Sequence, residues 1–480
     1  MSLGGGLIAR VGLGTSRIFR AVMPDPFVIA VLLLAVAFVL GLAAGDFGSE
    51  SPLSLGEKAR RLSEAFREKG SGPHVWSLLS FAMQMCLVLV SGHVLASAPP
   101  VRRVVRALAD RPRTGAGAAA MVAVVACLAG LLNWGLGLIV GALLARDVGR
   151  SLARRGVPHH YPTVAAAGYT GMMVWHGGLS GSAPLTMTTP EGARRTLSPA
   201  LVERLAQAGY ADGVGLDHTL LTTLNLVVTL GLVVIAGAAV YVLSPRDARE
   251  QRGFAPGAGS PSVQDERSED EESGRFPGFL ERTRLVPLLL AGALAAGLWR
   301  FGETGSVWRL GLNEIIAGML ALGLVLHGSS RRFVGAVEEA SRSCGGIIVQ
   351  FPIYAAIIAV MVHSGLARAL SEWASSASPS MLPLATFASA GVINLFVPSG
   401  GGQWAVQGPI VLEAALDAGM DPGRAILAVA YGDQLTNMLQ PFWALPLLAI
   451  TGVKAGEIVG TTALVMACGG AWIALALLVW

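Results

Sequence analysis

Asp433, Thr436, Asn437 and Gln440 follow one another at spacings of three and one and three, so their oxygen-bearing side chains share one side of a helix. They lie within Tyr431-Gly432-Asp433-Gln434-Leu435-Thr436-Asn437-Met438-Leu439-Gln440-Pro441, in the middle of an otherwise apolar segment over 424–452. An ionisable group in such a place is costly and marks function by default. Oxygen ligands of this kind suit a hard cation such as Na⁺, with Asp433 and Asn437 as candidate ligands. Asp433 could equally bind and release a proton. The bland alternative is a polar patch that joins packed helices by hydrogen bonds.

Three further segments interrupt apolar runs with groups that break helices. Residues 161–190 carry Trp175-His176-Gly177-Gly178-Leu179-Ser180-Gly181-Ser182-Ala183-Pro184. Residues 383–416 carry Asn394-Leu395-Phe396-Val397-Pro398-Ser399-Gly400-Gly401-Gly402-Gln403-Trp404. Residues 115–145 carry Asn133-Trp134-Gly135 at their centre. Glycine runs and prolines cannot hold a helix interior. Irregular backbone at membrane depth is tolerated only where protein or a water-filled cavity satisfies it.

Apart from Arg424 at an edge, these segments hold no Lys or Arg. A small anion would therefore be held by half-helix N-termini, hydroxyls and amides. The candidate substrate-binding residues are Asn133, Trp134, His176, Gly178, Ser180, Ser182, Asn394, Ser399, Gly400, Gly401, Gly402, Gln403, Trp404 and Asn437. Asp433, Thr436, Asn437 and Gln440 are the candidates for coupling to a cation. Tryptophans 134, 175, 404 and 443 offer aromatic walls for a short apolar tail, or else anchors at the membrane interface.

Other chemistries find little support. His176-Gly177-Gly178 is similar to an esterase oxyanion loop, but no Gly-x-Ser-x-Gly elbow accompanies it. Gly400-Gly401-Gly402 is not followed by Lys-Ser or Lys-Thr, so it is no phosphate-binding loop. Cys86, Cys127, Cys344 and Cys468 show no paired spacing, and His159-His160 has no further ligands nearby. No enzyme activity, resident cofactor or nucleic-acid partner is expected.

The elements that must position these residues are helices in a bilayer. Of 480 residues 53% are hydrophobic and only 14% charged, against about 25% charged in a soluble domain. Spans are expected at about 24–44, 75–98, 217–243, 285–300, 312–328, 345–364 and 457–480. The run after Arg10, Arg17 and Arg20 reads as a first span rather than a cleaved signal. The segment 46–72 reads as an amphipathic surface helix.

Residues 115–145 stay uncharged for about 46 Å of helix, too long for one upright span. Arginines crowd both sides: Arg102, Arg103 and Arg106 before, Arg146, Arg150 and Arg154 after. If arginine marks the cytoplasm, the segment is a re-entrant hairpin with its tip near Asn133, or else two short spans. Ala129-Gly130-Leu131-Leu132-Asn133 matches Ala390-Gly391-Val392-Ile393-Asn394 at an offset of 261. The same offset sets Gly171 on Gly432 and His176 on Asn437. The expected fold is thus an all-α integral membrane protein with an inverted repeat, two re-entrant hairpins and two broken transmembrane helices. Residues 1–244 form the first half and 285–480 the second. Residues 245–284, mixed in charge and rich in Gly, Pro and Ser, read as a flexible cytoplasmic linker.

At Asn394 through Pro409, Gly168 through Pro184 and Tyr431-Gly432-Asp433-Gln434, the chain resembles the bacterial short-chain fatty acid transporter family, over nearly its whole length. The resemblance implies a multi-pass protein of the bacterial inner membrane that takes up monocarboxylates such as acetoacetate or butyrate. It also implies kinship with a larger ion-transporter superfamily, whose members are often homodimers and often work by an elevator motion. In the sodium–dicarboxylate branch of that superfamily, Ser-Asn-Thr motifs at the hairpin tips help bind Na⁺ and carboxylate. Here Asn133 is followed by Trp134 and Asn394 by Leu395. Another anion such as a dicarboxylate, and an intramembrane hydrolase using His176 and Ser180, are the competing readings.

Overall fold

The fold is described from a computed structural model, which covers residues 14, 26–49, 51–67, 73–254, 275–304, 312–342, 344–398 and 400–480. Among the described residues the regular structure is helical throughout. In the first half, α1 (Pro26–Ala44) leads to α2 (Leu55–Ser63), α3 (Leu79–Ser97) and α4 (Pro99–Ala109). Then come α5 (Gly115–Leu132), α6 (Trp134–Arg154), α7 (Tyr161–Tyr169) and the short α8 (Ser182–Met187). Two more short helices, α9 (Pro190–Thr196) and α10 (Pro199–Leu205), precede α11 (Thr223–Leu243).

The second half holds α12 (Arg275–Arg282), α13 (Leu285–Thr304), α14 (Leu312–His327), α15 (Ser330–Ser341) and α16 (Gly345–His363). It continues with α17 (Leu366–Ser375), α18 (Leu382–Phe396), α19 (Gly400–Asp417), α20 (Pro422–Thr436), α21 (Pro441–Thr451) and α22 (Ala455–Val479). Among the described residues, α1, α5, α11, α16 and α22 contain stretches long and apolar enough to cross a membrane. Large apolar side chains such as Leu32, Val39, Leu230, Val234 and Leu289 are exposed on these and neighbouring helices. Lipid is the solvent that such surfaces fit. The protein is a multi-pass membrane protein.

Local chemistry sets the helix ends. Thr114 Oγ1 accepts from Gly117 N and starts α5, while Thr222 does the same for Asn225 N and starts α11. Ser54 and Glu57 form a reciprocal capping box on α2. That helix is much shorter than the segment 46–72 suggested. α5 and α6 form an antiparallel pair broken only at Asn133. Arg155 donates to Pro112 O at 2.8 Å and Ser151 Oγ to Asp110 Oδ1 at 2.6 Å, so the pair opens and closes at one end. Its second arm runs on to Arg154, past the expected end at 145, because Arg146, Asp147, Arg150 and Arg154 continue the helix into a polar environment.

The helices fall into two packed groups. α1, α3, α14, α15 and α16 pack on one another. α5, α6, α7, α11 and α22 form a second group with α18, α20 and α21. α3 and α4 lie against α6 at the seam. Within the second group both halves make the same close contact. A Cβ on Gly171 would stand 2.6 Å from Ala126 O, and one on Gly432 would collide with Phe387 O. A Cβ on Gly130 would stand 2.7 Å from Gly171 O, and one on Gly391 would meet Gly432 O at 3.6 Å. Each residue of the first set lies 261 positions before its counterpart, so one backbone approach recurs with glycine at its centre.

Residues 245–254 are pinned to both halves. Tyr161 N donates to Arg252 O at 2.8 Å, Phe254 N to His159 Nε2 at 3.1 Å, and Arg252 pairs with Glu457. Residues 255–274 of the expected linker lie outside the described residues.

Candidate substrate and ion site

After Tyr169 the first broken helix passes into tight turns over Thr170–Met173 and Trp175–Gly177, and is extended again at Gly178. Gly177, Gly178, Gly181 and Pro184 explain the break, since none supports a helix interior. Backbone groups freed in a dry interior need partners. His176 N and Gly177 N both donate to Gln434 Oε1, at 3.0 and 3.4 Å. Asn225 Nδ2 donates to Gly177 O at 3.0 Å.

The second break is held in turn by the first. α20 ends at Thr436, a tight turn spans Asn437–Leu439, and α21 starts at Pro441. Tyr169 Oη donates to Asn437 O and Gln440 O at 2.8 and 3.0 Å. Asn394 Nδ2 lies 2.7 Å from Asp433 O, 2.9 Å from Thr436 Oγ1 and 2.9 Å from Asn437 Oδ1. Gln440 Nε2 donates to Asn394 O.

The centre of this arrangement is buried. His176 Nε2 stands 3.8 Å from Asp433 Oδ1, and the two side chains are 1% and 2% exposed. Gly400 begins α19 beside them: a Cβ there would lie 2.5 Å from His176 Nε2 and 3.1 Å from Ser182 Oγ. Asp433 Oδ2, Asn394 Oδ1 and Gln440 Oε1 are buried without a hydrogen-bond donor among the described residues. Unmatched buried oxygens are costly, and their concentration in one place fits a centre that meets a ligand or ion.

The first tip adjoins this centre across Trp175, whose ring centroid is 3.6 Å from that of His176. Asn133 Oδ1 accepts from Leu136 N at 3.0 Å and caps α6. Trp134 N donates to Ser180 Oγ at 3.0 Å, and Leu179 N to Leu131 O at 2.7 Å. Gly178 is packed on the Leu131 backbone.

The structure therefore gathers His176, Ser182, Asn394, Gly400, Asp433, Thr436, Asn437 and Gln440, with Asn133, Trp134, Gly178 and Ser180 alongside. It sets other expected residues apart. Trp404 is fully buried in a core with Met187, Val411, Leu412 and Val429, away from the aromatic group of Trp134, Trp175 and Trp443. Gln403 Nε2 is occupied by Ala390 O and Gln407 Oε1, at 2.9 and 3.0 Å. The glycine run does not interrupt a helix. Gly400, Gly401 and Gly402 form the first turn of α19, where N–H groups need no intrahelical partner. A Cβ on Gly401 would meet nothing within 4 Å. Ser399 lies outside the described residues.

Three residues of the site are not among those expected from sequence: Gln434, Tyr169 and Asn225. Gln434 could have been found as the neighbour of Asp433 in the polar run. Asn225 is the single amide inside the apolar span α11. It also accepts from Tyr431 Oη at 3.1 Å. For Tyr169 the sequence offers no signal beyond its position before the break.

Apolar spans around a polar centre built from broken helices define the class of membrane transporters, and comparison with known proteins agrees. The family model described as short chain fatty acid transporter matches residues 7–480. The chain belongs to the short-chain fatty acid transporter family. A protein of Escherichia coli strain K12, provisionally named a short-chain fatty acid transporter, is 34% identical over 467 residues, covering 95% of this chain and 96% of its own. A Haemophilus influenzae protein with the same provisional name is 34% identical over 455 residues, with the same coverage. Among solved structures, the Alcanivorax borkumensis YdaH transporter aligns over 95% of this chain and 98% of its own, at 19% identity and a TM-score of 0.46. Neisseria gonorrhoeae MtrF, described with a class of antimetabolite efflux pumps, aligns over 96% and 97% at 17% identity and a TM-score of 0.41. The chain is a transporter and not an enzyme.

Proposed function

We propose that the protein takes up short straight-chain monocarboxylates, such as acetoacetate or butyrate, across the bacterial inner membrane, driven by a cation, Na⁺ or H⁺. The reading rests above all on the buried oxygens of Asp433, Asn394 and Gln440, which have no donor among the described residues. A proton on Asp433 would supply a donor, and a Na⁺ beside Asp433 and Asn437 would supply positive charge. Either would favour a carboxylate close by. The first-turn N–H groups of Gly400 and Gly401, at the positive end of the α19 dipole, suit that carboxylate. No Lys or Arg is among the residues gathered at the centre, which fits one negative charge better than two.

In this reading α5–α6 and α18–α19 are re-entrant hairpins of an inverted repeat, entering from opposite faces. The recurrence of the Gly171 and Gly432 contacts at one offset supports the repeat. The second helix group would carry the site past the first group in an elevator motion, and a homodimer would hold the first group still. The direct test is uptake of labelled butyrate into proteoliposomes with Na⁺ and pH gradients imposed separately. Accumulation with at least one inward gradient is expected. Equilibration without accumulation under both would contradict cation coupling.

A further inference from the structure

Residues 251–254 close a clasp over the arginine-rich end of the second helix group. Beside Arg252 O, which accepts from Tyr161 N, the Phe254 ring meets the Tyr161 ring edge-on at 4.9 Å. The Arg150 guanidinium lies 5.7 Å from the Phe254 centroid. Glycine at 149 leaves the room for both rings, since a Cβ there would stand 2.5 Å from Tyr161 and 3.1 Å from Phe254. On the other side Arg252 pairs with Glu457, which also accepts from Lys454 N at 2.9 Å. Tyr161 Oη donates to Thr451 O at 2.9 Å. The clasp thus joins α6 and α7 of the first half to α21 and α22 of the second.

His159 sits beneath this clasp, 5% exposed, and both of its ring nitrogens are committed. Nδ1 lies 2.8 Å from Val157 O, and Nε2 lies 3.1 Å from Phe254 N. A carbonyl oxygen can only accept and a backbone N–H can only donate. The ring must therefore carry its proton on Nδ1 and a lone pair on Nε2, so the clasp closes on neutral imidazole. A second proton would set N–H against N–H, and a buried donor left unmatched costs about 1–3 kcal/mol.

The charged groups around the ring offer no alternative home for that proton's charge. Arg150 and Arg155 come from α6, Arg252 from the clasp, Lys454 from the start of α22, and Arg113 from the turn before Gly115, which packs on His159. The two acids nearby already face arginines: Asp147 meets Arg146 at 3.3 Å, and Glu457 meets Arg252. His160 Nδ1 is engaged with Thr163 Oγ1 at 3.0 Å.

We infer that His159 and residues 251–254 form a proton-sensitive clasp, docked while His159 is neutral and released when the ring takes a second proton. Docking and protonation oppose each other reciprocally. Docking is complete above the ordinary histidine range, near about 6.5, and is lost as pH falls through it. Release loosens the join between two halves whose breaks brace one another. It thereby slows transport as the arginine-rich side, read as cytoplasmic, turns acid. That consequence for uptake rests on the proposed function; the clasp itself does not.

Hydrogen exchange at the Phe254 amide tests the clasp in the full-length protein, at about pH 7.5 and about pH 5.5, against His159→Gln at the same pH. Glutamine offers an acceptor oxygen but takes no proton. The two proteins should exchange within about twofold of each other at the higher pH. At the lower pH wild type should exchange about tenfold faster, because the released ring is then about nine-tenths charged. His159→Lys, charged and without an acceptor, should exchange fast at both. A ratio of wild type to His159→Gln that does not change with pH would overturn the clasp, even if the Lys variant fails to fold. Butyrate exchange across proteoliposomes, with equal pH on both sides, gives the second reading. Wild type should slow relative to His159→Gln at the lower pH, and an unchanged ratio would overturn the control of uptake. Absence of butyrate exchange in both proteins at either pH would contradict the proposed function, while hydrogen exchange still decides the clasp.

Discussion

His176 and Asp433, from opposite halves of the chain, face each other at 3.8 Å in a centre where both are buried. Neither half can build this centre alone. Gln434 holds the backbone of the first break, Tyr169 holds the second, and Asn394 reaches from α18 to the end of α20. A disturbance on either side is therefore expected to reach the other. Interacting groups in one network couple more strongly than distant ones.

Gly400 and Gly401 separate close approach from mere flexibility. Gly400→Ala places a Cβ against His176, whereas Gly401→Ala places one in open space. Overpacking of this kind costs about 1–3 kcal/mol, so butyrate uptake should fall by about fivefold to a hundredfold for Gly400→Ala and stay within about twofold for Gly401→Ala. Initial rates in proteoliposomes check this. Equal effects would show that the α19 start does not press on His176.

The two tip asparagines do different work. Asn394 serves three oxygens of the second break, while Asn133 caps α6. Asn394→Ala should cost about 1–3 kcal/mol through unmatched buried groups, against about 1 kcal/mol for the lost cap in Asn133→Ala. Thermal unfolding of the detergent-solubilised variants gives the order. A lower midpoint for Asn133→Ala than for Asn394→Ala would reverse the assignment.

Topology can be read by labelling. Cysteines at Arg103 and Arg154 should react from one face, since the α5–α6 pair opens and closes at one end. A cysteine at Glu372 should react from the other, where Arg368 of α17 meets Asp46 beyond α1. Reaction of Arg103 and Arg154 positions from opposite faces would contradict a hairpin.

The sequence made the spans and breaks legible for a physical reason. Apolar runs such as Phe27–Ala44 admit one structure in lipid, and Gly177, Gly178 and Pro441 cannot continue a helix. Short amphipathic helices were not legible: α9 and α10 are too brief to show a period, and their caps, Thr189 and Ser198, are common residues in loops. Residue type alone also misled at Trp404, which reads as a site wall but fills a core behind α19. The supports Tyr169 and Asn225 act through backbone atoms of distant residues, a contact that single-sequence patterns do not encode.

The most direct test of the central claim compares wild type with Asp433→Asn. The amide keeps size and one acceptor oxygen but loses the charge, so attraction for a cation falls most. Cation and substrate binding, coupled by about 5–150-fold in typical cases, should become independent. Labelled butyrate uptake is measured in proteoliposomes under separate Na⁺ and pH gradients, with exchange against internal butyrate followed in parallel. Wild type is expected to accumulate butyrate, and Asp433→Asn to lose accumulation; retained exchange would mark the ion as H⁺, and weakened exchange at low Na⁺ would mark it as Na⁺. Accumulation by Asp433→Asn with unchanged Na⁺ and pH dependence would contradict the account.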